Sequence, residues 1–154
     1  MENCLKVGIL GAGNIAGSMA EALNELQKEG KACAYAVASR SQEKALEFAR
    51  KWNITRAYSS YEELASDPEV DLIYIATPHS LHYEQAKLCM EHGKNVLVEK
   101  AFTANARQAE ELFAMAEEKK VFITEAIWTR YMPSREIITG LLREGAVGTC
   151  LLYT

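Results

Sequence analysis

The residue types able to do chemistry fall at five places in the chain. Gly11, Gly13 and Ala16 make a Gly-x-Gly-x-x-Ala turn directly after the apolar run 5–10. Gly11 permits a tight turn. Gly13 lets a pyrophosphate approach bare backbone along Gly13, Asn14 and Ile15, and Ala16 lets the next helix pack close to the strand. The free N–H groups and positive dipole end of that helix would then face the phosphates. A Gly-rich turn between two ordinary elements is the plainer alternative. Ser39 and Arg40 follow a second apolar run, 31–38, with Lys44 one helical turn further on. An NAD-selective protein usually has Asp or Glu here, bonded to the ribose 2′-hydroxyl. A hydroxyl and a guanidinium suit a 2′-phosphate instead, which favours NADP over NAD. Otherwise Arg40 merely solvates a loop.

The third place is Thr77-Pro78, with His79 and His82 beyond it. Pro78 bends and stiffens the chain. The histidines either approach the nicotinamide or ribose, or cap and solvate a helix start. The fourth is Glu99-Lys100, with apolar neighbours that would bury the lysine in part and ease proton transfer near neutral pH. Glu99 would hold or tune it; taken alone, the two also read as an ordinary ion pair. Further on, Trp128 and Arg130 either cover a cofactor or pack a loop.

The elements that must position these residues alternate. Strands are expected over 4–10, 31–38, 54–58, 71–77, 95–98 and 121–124. Helices are expected over 14–29, 42–52, from Ser60 to about Asp67, over 80–92, from Asn105 to about Lys119, and from Pro133 to about Gly145. Ser41, Ser60 with Glu63, and Asn105 with Gln108 supply caps; Gly30 and Gly93 close helices. Right-handed crossovers between such strands predict a doubly wound, mostly parallel α/β sheet of the Rossmann kind. Each chemical residue then follows a strand, at the edge where such sheets bind ligands.

Composition excludes other classes. The chain has 154 residues, 49% hydrophobic and 25% charged, as in a globular domain. A net charge of −4 and a pI near 5.5 argue against nucleic acid or an anionic membrane as partner. No apolar run approaches a membrane span and no leader is evident, so a cytoplasmic location is expected. Cys4, Cys33, Cys89 and Cys150 are widely spaced, and the three histidines lack partners at ligand spacing, so no metal is expected.

Together these motifs resemble the N-terminal domain of the Gfo/Idh/MocA oxidoreductases. The resemblance runs from Leu5 to Gly148. It rests on Gly11–Ala16, on Ala76-Thr77-Pro78 with His82, on Val96-Leu97-Val98-Glu99-Lys100, and on Glu125-Ala126-Ile127-Trp128-Thr129-Arg130 with Pro133. The last is similar to the branch holding NADP-dependent dihydrodiol dehydrogenase and D-xylose dehydrogenase. The resemblance implies that Lys100 is the catalytic lysine and that Trp128 and Arg130 help hold the cofactor. It also implies that Ser39 and Arg40 face the adenosine 2′-phosphate. The candidate cofactor-binding set is therefore Gly11, Gly13, Asn14, Ile15, Ala16, Ser39, Arg40, Thr77, Pro78, His82, Glu99, Trp128 and Arg130. Ala101 stands where the family has proline, so a trans peptide is expected before it.

The expected activity is hydride transfer between a nicotinamide and a carbohydrate-like small molecule: a sugar, polyol or cyclic diol. Residues 1–146 would form the dinucleotide-binding domain. Residues 147–154 would begin a C-terminal substrate domain that the chain lacks, and that domain would also carry a homo-oligomer interface. The chain alone would bind cofactor and turn over poorly. A non-catalytic nucleotide-binding sensor or scaffold is the alternative. A methyltransferase using S-adenosylmethionine is a second rival, but normally carries an acidic residue where Ser39 stands.

Overall fold

The computed structural model describes residues 4–146 and Gly148. The strands are β1 (Leu5–Leu10), β2 (Ala32–Ala38), β3 (Arg56–Tyr58), β4 (Leu72–Ile75), β5 (Asn95–Val98) and β6 (Ile123–Glu125). The helices are α1 (Asn14–Lys28), α2 (Gln42–Trp52), α3 (Tyr61–Ala65), α4 (His82–Glu91), α5 (Ala106–Lys119) and α6 (Pro133–Arg143). Among the described residues the strands form one sheet in the order β3-β2-β1-β4-β5-β6, with every neighbouring pair parallel. This is the expected doubly wound Rossmann arrangement. Strand order reverses between β1 and β4, so the ligand crevice lies beyond their carboxyl ends.

Alternation along the strands divides the core in two. Val7, Ile9, Val37 and Tyr74 pack on one face with Ala16, Ala20 and Leu23 of α1 and Phe48 and Ala49 of α2. Leu10, Ile73, Ile75, Val96 and Val98 pack on the other with Leu64 of α3, Ala86, Cys89 and Met90 of α4, and Leu112 and Ala116 of α5. Burying residues on both faces is why β4 and β5 read as continuous apolar runs.

The caps act as the spacing predicts. Ser41 accepts from the Lys44 N–H. Ser60 and Glu63 form a reciprocal capping box, and Asn105 accepts from the Gln108 N–H. Boundaries moved where a turn intervenes. Asn53 turns left-handed (φ 56°) and the Ile54 N–H returns to the Ala49 carbonyl, so β3 begins only at Arg56. After Pro78 the chain makes a 3-10 turn, His79–Leu81, and α4 begins at His82 rather than residue 80. The expected start of a substrate domain over 147–154 lies outside the described residues, Gly148 apart.

Candidate active site

Gly11 sits at the switch point with φ +106°. Its N–H donates to the Ala38 carbonyl at 2.9 Å, and a Cβ there would stand 2.8 Å from the Ala76 carbonyl oxygen. The ends of β2 and β4 therefore close on a residue that must be glycine. Gly13 is the N-cap of α1, in extended backbone, with open space where a Cβ would be. No side chain caps α1 and no acidic residue stands in its first turn. The first N–H groups of a 15-residue helix thus face the crevice edge unsatisfied, as an anion site requires. Asn14 and Ile15 are exposed beside them, and Ala16 is fully buried against the strand. Gly17 behind it admits the Trp52 indole, 3.3 Å from where a Cβ would be.

At the end of β2, the Ser39 N–H donates to the Tyr58 carbonyl at 3.2 Å, and the Ser39 hydroxyl accepts from the Ser41 N–H at 3.4 Å. These bonds present Arg40, which is exposed, just beyond the sheet edge. A cleft of about 480 Å³ between α1 and α2 runs from Gly13 and Asn14 past Ser18 to Lys44 and Trp52. The uncapped helix end and a cationic side chain therefore share one wall-to-wall depression. Neither Glu99 nor Lys100 lines it.

The ends of β4 and β5 carry a connected set of polar groups. Thr77 is buried, and its hydroxyl donates to the Gln85 side chain. Pro78 is exposed, beyond the Thr77 bend. The His82 ring is wholly buried, with Nε2 2.9 Å from the Thr77 carbonyl oxygen and Nδ1 2.8 Å from that of Ala101. The Tyr74 hydroxyl donates to Glu99 Oε1 at 2.6 Å, while Glu99 Oε2 accepts the Lys100 N–H at 3.2 Å. Glu125, at the end of β6, accepts the Phe102 N–H at 2.8 Å.

Three expectations about this region are corrected. The Lys100–Ala101 peptide is cis, not trans. The hydrogen bonds on either side account for the path: the Ala101 carbonyl points to His82 and the Phe102 N–H to Glu125. Lys100 is exposed rather than partly buried. Glu99 also does not pair with the Lys100 ammonium; its carboxylate is taken by Tyr74 and by the Lys100 backbone amide, and among the described residues Lys100 forms no ion pair.

Trp128 and Arg130 lie on a 3-10 turn, Trp128–Tyr131, after β6. Both are exposed, Trp128 at 65%. β6 is the outermost strand, separated from β1 by β4 and β5. These two residues therefore share the carboxyl edge with the Gly turn but stand across the sheet from it. Among the described residues no cluster of three or more His, Cys, Asp or Glu could hold a metal ion, and no helix is long and apolar enough to cross a membrane.

A family model described as an oxidoreductase family with an NAD-binding Rossmann fold matches residues 5–126. The chain belongs to the Gfo/Idh/MocA oxidoreductase family. It is 43% identical over 143 residues to trans-1,2-dihydrobenzene-1,2-diol dehydrogenase of Xenopus tropicalis, covering 93% of this chain and 43% of that protein. It is 40% identical to the D-xylose 1-dehydrogenase (NADP(+)) of Hypocrea jecorina, covering 94% of this chain and 39% of that one. Among solved structures, a 3-ketoreductase from Actinomadura kijaniata in complex with TDP-benzene and NADP superposes with a TM-score of 0.86 at 32% identity, over 95% of this chain and 45% of that one. The chain thus spans less than half the length of the Gfo/Idh/MocA relatives it matches.

Two residues that hold the ends of β4 to β6 together escape a reading of the sequence. Tyr74 lies inside an apolar strand, and its partner is 25 positions away. Its only signal is a hydroxyl in the middle of Leu72–Ile75, which, when buried, needs an acceptor. Glu125 was legible only as part of a motif; its hold on Phe102 depends on β6 lying beside β5.

Proposed function

We propose that the protein is an NADP-dependent oxidoreductase acting on the CH–OH group of a sugar, polyol or cyclic diol. One observation carries the reading: the uncapped N-terminus of α1 behind Gly11 and Gly13 lies at the same carboxyl edge as Arg40 on one side and Lys100 on the other. The glycine cradle and free N–H groups fit a pyrophosphate, and Arg40 with Lys44 fits a 2′-phosphate. The names of the diol and NADP-xylose dehydrogenases and the NADP complex of the 3-ketoreductase support the same assignment.

In this reading the nicotinamide, when bound, supplies the hydride acceptor or donor. Lys100 Nζ holds the proton of the substrate hydroxyl as charge develops on the oxygen. Glu99, fixed by Tyr74, holds the Lys100 backbone and keeps a carboxylate beside the reacting end of the sheet. Ser39 and Arg40 take the 2′-phosphate. Thr77, Pro78, Trp128 and Arg130 border the cofactor.

The reading includes a substrate domain after residue 146. Its support is the greater length of the relatives and the uncovered apolar face of α6, where Ile137, Ile138, Leu141 and Leu142 are 47–67% exposed. Such a domain would complete the substrate pocket and provide an oligomer interface, so the 154 residues alone would bind cofactor but turn over poorly. The test is turnover of NADP with D-xylose and trans-1,2-dihydrobenzene-1,2-diol by the 154-residue chain and by a form extended with a substrate domain. Activity confined to the extended form supports the reading. Full activity from the 154 residues would remove the two-domain requirement. Cofactor binding with no turnover in the extended form would favour a sensor or scaffold.

A further inference from the structure

We infer that Cys4 and Cys33 form a dithiol modification site, which hydrogen peroxide closes to a disulfide that staples the start of β1 to β2. The inference stands apart from the chemistry proposed for Lys100. That chemistry lies at the carboxyl ends of the strands, and this pair lies at the amino ends of β1 and β2.

The register brings the two cysteines together, although they are far apart in the sequence. β1 and β2 run parallel, with Leu5 beside Ala32 and Lys6 beside Cys33. Partners in such a ladder share a face, and so do residues two apart on one strand. Cys4 comes two positions before Lys6, so it is the diagonal neighbour of Cys33 on that face. It also stands one residue ahead of β1, outside the ladder. The Leu5 N–H, bonded to the Lys31 carbonyl at 3.0 Å, keeps this end of the chain beside β2. Cys4 can therefore close on Cys33 without breaking the β1–β2 pairing.

Both cysteines are free and half-buried, within reach of a small oxidant. Burial first, and the neighbouring Cys4 thiol second, push the Cys33 thiol up to about 11. A thiol held protonated is a poor first nucleophile, which gives Cys4 the attack and Cys33 the resolving step. The charged groups around the pair are engaged with one another. Lys6 pairs with Glu69, its backbone N–H donates to Asp71, and Lys31 pairs with Glu29. Cys89 is wholly buried, and burial pushes its thiol up to about 12, so it serves as an internal control.

The steps balance. Cys4 sulfur, as thiolate, attacks one peroxide oxygen; the O–O bond breaks, and the product is a sulfenic acid and one water. Cys33 sulfur then attacks the sulfenic sulfur. The S–S bond forms, the S–O bond breaks, and the hydroxyl leaves as a second water with the Cys33 proton. Two thiols and one peroxide give one disulfide and two waters, with two electrons passing from sulfur to oxygen. The bond closes the loop 4–33, which holds β1, the Gly turn and α1. Cross-linking it removes conformations from the unfolded chain and so stabilises the unit that carries the turn.

The test treats the wild-type chain with excess hydrogen peroxide and maps its peptides by mass spectrometry without reduction. The expected product is a Cys4–Cys33 cross-linked peptide lighter by two hydrogens, reversed by dithiothreitol, with Cys89 still a free thiol. Free thiols at both positions, sulfinic acid at either without a cross-link, or a disulfide from either to another cysteine would overturn the inference. None of these readings needs a variant to fold. The melting temperature of the oxidised protein should exceed that of the reduced protein by about 3–10 °C. Cys33→Ser should abolish that rise. An unchanged or lowered melting temperature in the cross-linked wild type would overturn the stapling role.

Discussion

The Tyr74 hydroxyl on β4 donates to Glu99 Oε1 at the end of β5, 2.6 Å away, from a side chain that is 1% exposed. The bond crosses between neighbouring parallel strands, to a residue two positions beyond Leu97, the register partner of Tyr74. Burial first, and the facing carboxylate second, hold the phenol well above its ordinary value, so Tyr74 stays a donor at any working pH. Tyr74→Phe removes that donor and leaves Glu99 with the Lys100 N–H. The expected cost is about 1.5–3 kcal/mol, the range for a hydrogen bond to a charged group, read from the urea midpoint at unchanged slope.

The two glycines of the turn should fail in different ways. Gly11→Ala puts a Cβ against the Ala76 carbonyl at a φ that L-residues rarely adopt. It should lower stability by about 1–3 kcal/mol with or without nucleotide. Gly13→Ala meets nothing within 4 Å and has an ordinary φ of −95°. It should leave the melting temperature of the free protein unchanged and weaken NADPH, because in the proposed reading its Cβ would stand where the pyrophosphate approaches. Thermal melts with and without NADPH separate the two.

Cofactor choice should turn on Arg40 and Lys44. Both are exposed, so neither substitution disturbs the core. Arg40→Ala should weaken NADPH by roughly ten- to a hundredfold, about 1.4–2.7 kcal/mol, and leave NADH nearly unchanged. Lys44→Ala should act in the same direction with a smaller effect. Equal losses for both nucleotides would place these side chains elsewhere than at the 2′-phosphate.

Asp67 sets an acid limb on stability. Burial pushes its carboxyl up, but the Glu69 N–H, the Tyr58 hydroxyl, Arg56 and Lys94 outweigh that and hold it below the ordinary value. With the folded value depressed, its contribution is present above the unfolded pKa of about 4 and is lost as pH falls through the folded value. Urea midpoints taken downward from neutral pH should therefore drop below about pH 4, and Asp67→Asn should flatten part of that drop.

Local signals were the legible ones. Ser60 with Glu63, Asn105 with Gln108, and Gly30 and Gly93 each act within a few residues, and each stands where the chain order puts it. The Gly turn is equally local, and its strand–turn–helix order stands as the sequence predicts. What the sequence hides are contacts made by register. Tyr74 meets Glu99 only because β4 lies beside β5, and Glu125 meets Phe102 only because β6 does. The contacts of His82 with the carbonyls of Thr77 and Ala101 are likewise hidden, because backbone atoms are partners that no residue type announces. The same two contacts, His82 to Ala101 and Glu125 to Phe102, set the path after Lys100 that the missing proline obscured.

The central claim is that the edge shared by Gly13, Arg40 and Lys100 binds NADP, and a titration of the protein with NADPH, NADH and S-adenosylmethionine tests it most directly. The account predicts NADPH binding at least about tenfold tighter than NADH, and no saturable binding of S-adenosylmethionine. NADH binding as tightly as NADPH, or S-adenosylmethionine binding in place of both, would contradict it.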